Sequence, residues 1–335
     1  MEYSDLIKKY NIKESDNIKR YENNPILDKT KIPYASELVF NSGVIKYNQE
    51  YIMLFRNDYY FEGASITQFH TNMGIARSKD GINFIPEKEP FIKYEDVLAQ
   101  GYKRFYDPRI NLIDGLIYMT FAIDSKNGTM GGIAKINDDF KSYEILSIST
   151  PDNRNMVLLP EKINGFYYRL ERPMPIYSRS EDEAFDIWIS KSPDLKFWGE
   201  SKVLIDKDDV PYSNSKIGPA SNLVKTKYGY LGFFHSVIVD GALGKNGYEG
   251  AWKKVYFAGA FLLDLDDPTK VIGISKNPII IPKEEYETKT GFRNNVIFPC
   301  GLILEDDILK IYYGAGDKYS CLATMELEKL IKEII

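Results

Sequence analysis

The sequence predicts an all-β protein, a five-bladed β-propeller with short terminal helices. Three observations carry this. One two-strand unit recurs five times along the 335 residues. Among its turns are Asp-Gly and Asn-Gly, which favour tight hairpins because those turns need positive φ. No strand–helix alternation occurs, which disfavours a Rossmann or TIM-type α/β fold.

Taken in order, the first ~20 residues, through SDLIKKYNIKESDNIKRY, read as amphipathic helix. Five hairpins follow: Asn41–Arg56, Asp107–Asp124, Arg154–Arg172, Lys216–His235 and Phe298–Asp317. Their flanks are Val-, Ile-, Tyr- and Phe-rich runs of strand length, joined by YNQE, IDG, KING, KTKYG and EDD. After four of them comes an apolar strand, an acidic turn and a restart, as in GIARSKDGINF and DIWISKSPDLKFW. The last closes with YSCLATMELEKL (Tyr319–Leu330). Each repeat thus holds about four strands, the pattern of a propeller blade. A sandwich or jelly roll is the competing architecture, and the fivefold recurrence argues against it. The final LEKLIKEII is a short helix or an extension of the last strand. The expected organisation is a helical extension over 1–23 and one catalytic propeller domain over 24–335.

Composition narrows the class. With 43 Lys+Arg against 48 Asp+Glu the net charge is −5, so no basic face for nucleic acid is expected. Two cysteines, Cys300 and Cys321, exclude a disulfide scaffold, and two histidines argue against a His-rich metal centre. The N-terminal MEYSDLIKKYNIKES lacks the apolar stretch of a secretory signal, and no apolar run approaches the ~18 residues of a membrane span. A cytoplasmic protein with two reduced thiols is expected, with no membrane or nucleic-acid partner. A homo-oligomer is left open.

The repeat ends carry polar residues where inner strands of a propeller converge. They are Asn41, Ser42 and Arg56; Asp107 and Arg109; Arg154 and Arg172; Lys216 and His235; Asn295 and Asp317. Taken singly, each of these reads better as a solvated strand end, but five blades ending this way point to a site. Arg154, Arg172 and Lys216 are cations able to share one anion. Asp107 and Asp317 can donate a proton or hold sugar hydroxyls. Tyr106, Tyr167, Tyr168, Trp188, Phe257 and Phe298 are aromatics able to stack on sugars, with core packing as the competing role. No GxGxxG, Walker A, GxSxG or HExxH motif competes, and Gly241–Gly247 is at most a weak phosphate loop. Neither a metal nor an organic cofactor is expected.

These residues resemble glycoside hydrolase family 130, the mannoside phosphorylases and β-mannosidases. The resemblance rests on NPIL (Asn24–Leu27), NSG (Asn41–Gly43), Arg56, DPR (Asp107–Arg109), LLPEKING…YYRLERP (Leu158–Pro173), SPDLKFW (Ser192–Trp198), KIGPAS (Lys216–Ser221), FFH (Phe233–His235), LLDLDDP (Leu262–Pro268), NNVIFPCG (Asn294–Gly301) and YYGAGD (Tyr312–Asp317). It implies a five-bladed propeller and inverting phosphorolysis of a β-mannoside to α-mannose 1-phosphate, with inorganic phosphate as co-substrate. It implies Asp107 as general acid, acting through the mannose 3-hydroxyl. It also implies Arg154, Arg172, Lys216 and His235 as the phosphate site, and Asn41, Ser42, Arg56, Tyr106 and Asp317 as mannose contacts. A water-using β-mannosidase and a non-catalytic sugar-binding propeller are the alternatives; the cation cluster favours the phosphorylase. Two long segments, after Arg56 and over Ser236–Ala260, lie on the acceptor side by this resemblance. They leave acceptor and linkage (β-1,4 or β-1,2) open.

Overall fold

Tight turns build the hairpins. In the computed structural model, which describes residues 1–175, 184–243 and 253–335, the pairs Asn48-Gln49, Asp114-Gly115, Asn164-Gly165 and Asp306-Asp307 all have positive φ. That is the geometry whose twist matches paired strands. Each hairpin forms the inner half of one blade. Blade 1 runs Leu38–Tyr47, Glu50–Tyr59, His70–Ser78 and Ile85–Pro86; blade 2 runs Arg104–Ile113, Leu116–Ser125, Gly128–Ile136 and Tyr143–Ile148. Blade 3 comprises Asn153–Leu158, Tyr167–Pro173, Ile187–Ser192 and Gly199–Ile205. In blade 4 the inner strand is split into Lys216–Pro219 and Val224–Thr226, both paired with Gly229–Val239, followed by Lys254–Leu263 and Val271–Ile274. Blade 5 runs Ile297–Glu305, Ile308–Ala315 and Tyr319–Glu326, and all neighbours in every blade are antiparallel.

The acidic turns predicted after the third strands are Asx turns. Asp80 accepts from the backbone N–H of Ile82 and Asn83, and Asp194 does the same for Lys196 and Phe197. Ser78 and Ser192 Oγ brace the same turns, so SKDG and SPDL are one device in two blades.

Blade 5 lacks a fourth strand downstream. Lys19–Arg20 supplies it from the other end of the chain, pairing with Ala323 and Thr324. Residues 24–27 continue along the same strand: Asn24 exchanges two hydrogen bonds with the Leu322 backbone, at 2.9 Å each. The first ~20 residues are therefore not one helix. Helix covers only Tyr3–Lys9, and the chain beyond it serves ring closure.

The cores are wedges between neighbouring blades, the widest joining blades 3 and 4 with Leu6 of the N-terminal helix inserted. The C-terminal helix, Leu327–Ile334, buries Leu327, Leu330, Ile331 and Ile334 in the wedge between blades 4 and 5. That spacing, i, i+3, i+4, i+7, is one helical face. Both helices thus pack on their own blades. Cys300 and Cys321 are buried and free. No helix among the described residues is long and apolar enough to cross a membrane.

Candidate active site

Inner strands of propellers converge on the axis, and here they are bulged. Pairing slips between Phe40 and Gly43 in blade 1, between Tyr106 and Arg109 in blade 2, and between Arg154 and Val157 in blade 3. At each slip one residue has left-handed φ: Asn41 (52°), Asp107 (55°) and Asn155 (59°). Asn and Asp tolerate this region best among side-chain-bearing residues. A bulge re-aims a side chain, and these three line one axial cavity of about 320 Å³.

Around Asp107 the cavity is tightly organised. Asn41 Nδ2 donates to Asp107 Oδ1 at 2.9 Å, and the Arg56 guanidinium stands 3.7 Å from the same oxygen. Arg56 is itself held by three hydrogen bonds to Asp58, two from Nε and one from Nη2, and its guanidinium carbon lies over the Phe40 and Tyr106 rings. Beneath, Arg109 donates from Nη1 to the Asp107 carbonyl and from Nε to that of Ala220, both at 2.7 Å. The arginine of DPR therefore braces the bulge and lies outside the lining. Gly314 explains part of YYGAGD: a Cβ there would stand 2.3 Å from Asn41 Oδ1.

Blades 3 and 4 supply the opposite wall. Arg154 and Arg172 are cross-strand partners, and Arg172 Nη1 lies 2.9 Å from His235 Nε2. Arginine can only donate, so Nε2 accepts and the His235 proton sits on Nδ1. Burial, reinforced by Arg172, Lys216, Arg109 and Arg154, drives the His235 pKa well below its ordinary value, so the ring stays neutral. Its Nδ1 has no hydrogen-bond partner among the described residues. Gly218 of KIGP explains how ring and guanidinium fit: a Cβ there would be 2.5 Å from His235 Cε1 and 2.9 Å from Arg172 Cδ. Lys216 lines the same wall, and burial pushes the Tyr256 phenol beside it up to about 12, keeping it a proton donor. Blade 5 adds Asp317, which Arg293 holds at 3.0 Å. Burial raises its carboxyl above the usual value against the pull of Arg293 and Arg56. Among the described lining residues, seven Lys/Arg (Arg56, Arg104, Arg154, Arg172, Lys216, Lys254, Arg293) face three carboxylates (Asp58, Asp107, Asp317). The lining is cationic on balance although the chain is acidic.

The structure brings together Asn41, Arg56, Tyr106, Asp107, Arg154, Arg172, Lys216, His235 and Asp317. It leaves out Ser42, whose Oγ lies 2.7 Å from Ser320 Oγ inside the sheet, and Asn295. Of the aromatics singled out, Tyr106 and Phe298 line the cavity; Phe257 and Tyr167 are core. Trp188 and Tyr168 are half-buried on blade 3, away from the cavity. Sequence reasoning missed Asn155, Arg104, Asp58, Lys254, Tyr256 and Arg293. For Asn155 a signal existed, since Asn41, Asp107 and Asn155 occupy the same place in successive inner strands. Part of the Ser236–Ala260 segment, residues 244–252, lies outside the described residues; so does most of the weak phosphate-loop candidate.

A family model described as β-1,4-mannooligosaccharide phosphorylase matches residues 7–334. The chain belongs to glycoside hydrolase family 130. The family model and the curated relatives are named as mannoside phosphorylases, and the chain is an enzyme of that type. A β-1,2-mannobiose phosphorylase from Listeria innocua serovar 6a is 30% identical, with 95% of this chain and 98% of that protein covered. A β-1,4-mannooligosaccharide phosphorylase from Ruminococcus albus is 31% identical, with 94% and 90% covered. The solved complex of the Listeria enzyme with β-1,2-mannobiose matches at TM-score 0.76 and 26% identity, covering 95% of this chain and 99% of that one.

Proposed function

We propose that this family 130 member is an inverting β-mannoside phosphorylase. The observation that carries the proposal is the division of the cavity: a carboxylate on blades 1 and 2, a cation wall on blades 3 and 4. Inversion needs nucleophile and leaving group on opposite sides of the anomeric carbon. Phosphate, held by Arg154, Arg172 and Lys216, with neutral His235 fixing the Arg172 guanidinium, attacks with one oxygen. As the bond between C1 and that phosphate oxygen forms, the glycosidic C1–O bond breaks. The proton comes from Asp107, relayed through the mannose 3-hydroxyl as the family resemblance implies. Asn41, Arg56 and Asp317 hold the mannose, and Tyr106 closes its side. The products are α-mannose 1-phosphate and a shortened saccharide. Inorganic phosphate is the co-substrate, no cofactor or metal takes part, and the two free thiols suit a cytoplasmic enzyme.

A hydrolase instead needs a base carboxylate roughly 6.5–9.5 Å from the acid to activate water. The other lining carboxylates, Asp58 and Asp317, are each committed to an arginine. Relatives acting on β-1,2 and on β-1,4 linkages stand at 30% and 31% identity, so the proposal is to the β-mannoside class.

The test is phosphate dependence. Wild type should release mannose 1-phosphate from β-mannosides only with phosphate present. Each charge-assisted hydrogen bond contributes about 1.5–3 kcal/mol, so Arg172→Ala should raise the KM for phosphate roughly tenfold or more, and that for the mannoside far less. Equal cleavage without phosphate, yielding free mannose, would give the hydrolase reading the field.

A further inference from the structure

Arg56 and Asp58 stand two residues apart on the second strand of blade 1, so their side chains leave the same face. Asp58 is fully buried and is fixed from the next strand, where its cross-strand partner Thr71 donates from Oγ1 to Asp58 Oδ1 at 2.7 Å. The carboxylate takes one edge of the Arg56 guanidinium. Nε donates to Oδ1 at 2.9 Å and to Oδ2 at 3.0 Å, and Nη2 donates to Oδ2 at 2.5 Å. Nη1 is the end turned towards Asp107, and it stops 3.7 Å from Asp107 Oδ1, beyond hydrogen-bond distance.

Two carboxylates thus compete for one arginine, and Asp58 holds it. The outcome matters for a proton donor. An arginine free to turn pairs with a carboxylate through two parallel hydrogen bonds. Such a pair favours the ionised acid, and an ionised Asp107 has no proton to pass on. Even without movement, Asp58 offsets the Arg56 charge that Asp107 feels. Among the described residues, the other charged or titratable groups around Asp107 are Tyr106 and Arg109 on its own strand, Arg154 and Lys216 across the cavity, and Asp317 and Cys300 on blade 5. None of these is bonded to Asp58, so its effect passes through Arg56.

We propose that Asp58 is a positioning residue for the general acid: by clamping one edge of Arg56 it keeps that guanidinium from closing on Asp107, which therefore carries a proton into the reaction. Nη1 is left to meet the sugar. The proposal deepens the phosphorylase reading in that it takes Asp107 as the acid, and it makes no use of phosphate.

The pH profile of kcat/KM for a β-mannoside, which reports the acid of the free enzyme, tests it. In Asp58→Asn the alkaline limb should move to lower pH by about one to three units, the range for an aspartate gaining an arginine. The KM for phosphate should hardly change, because the cations of blades 3 and 4 are untouched. In an Arg56→Gln background the same Asp58→Asn change should move the limb much less. Phosphate titrates alike in every arm, so differences between variants belong to the enzyme. An unmoved limb in Asp58→Asn, or an equal shift in both backgrounds, would overturn the proposal; a loss of activity at all pH values with the limb in place is what a merely structural role gives. Asp58→Asn leaves a buried cation unpaired and can fail to fold. Thr71→Val, which removes only the brace on Asp58, then decides: a smaller shift in the same direction is expected, and an unmoved limb overturns the clamp. Cleavage without phosphate would fail the phosphorylase reading, while the limb is still read on that cleavage and the clamp is judged by it alone.

Discussion

Asp107 owes its place to three neighbours that do no chemistry. Pro108 follows it, Arg109 ties down its carbonyl, and Asn41 fixes one carboxylate oxygen. An Asp107→Asn enzyme keeps that bracing and the positive φ, which Asn also accepts, but has no proton to give. Turnover should fall by about 10²–10⁴-fold with the melting temperature little changed. Activity within about threefold of wild type in a steady-state assay would remove Asp107 from the mechanism. At this scale most of the site was legible, because Asn41, Asp107, Arg154, Arg172, Lys216, His235 and Asp317 all close repeat units. What failed was telling a lining residue from its brace. Arg109 and Ser42 share motifs with Asp107 and Asn41, and only bulge geometry decides which of two adjacent side chains faces the cavity. Arg104, Asp58 and Arg293 were illegible because each enters as half of an ion pair whose partner is set by the fold.

The hairpins were readable from turn chemistry, since Asp-Gly and Asn-Gly state their conformation locally. The edge strand Lys19–Arg20 was not, because a two-residue strand has no period and its partner lies some 300 residues on. A seam between elements is equally invisible in sequence, and the one between blades 5 and 1 carries a testable charge. Glu305, at the end of the inner strand of blade 5, meets Lys46 at 2.5 Å, Lys310 at 2.8 Å and the Tyr51 hydroxyl. Burial works to raise this carboxyl, but those hydrogen bonds outweigh it and hold the pKa at about 2, from an ordinary 4.5. A depressed acid stabilises the fold fully above its unfolded value and loses that contribution as pH falls towards the folded one. Wild type should therefore lose stability between pH about 4.5 and 2. Glu305→Gln should start about 1 kcal/mol lower at neutral pH, and show a shallower decline across that window. Urea midpoints measured at pH 7, 4.5 and 3 check this; parallel curves for the two proteins would show that the seam contributes nothing.

A closed ring of blades must join its first and last segments, and here the joint is made by charge as much as by strand pairing. Arg20, in the closing strand, donates from Nε to Glu287 and from Nη2 to Glu14, both at 2.9 Å. Glu287 is fully buried and also accepts from Tyr313 Oη and the Lys283 backbone. Glu14 in turn accepts from the Ile281 N–H. The network thus joins the N-terminal segment to the stretch between blades 4 and 5. Burying such groups is expensive unless every partner is present, so replacing the whole set by well-packed apolar residues is often neutral, whereas removing one member is strongly destabilising. Arg20→Ala leaves the Glu287 carboxyl buried and short of its cation, and should cost about 3–5 kcal/mol. Arg77 gives the contrast: it pairs with Glu50 and Glu87 at the outer edge of blade 1, and Arg77→Ala should cost no more than about 1 kcal/mol. Equilibrium urea unfolding of both variants separates the two kinds of pair. If the midpoint of Arg20→Ala falls no further than that of Arg77→Ala, the ring is held by its apolar wedges alone and the buried network is dispensable.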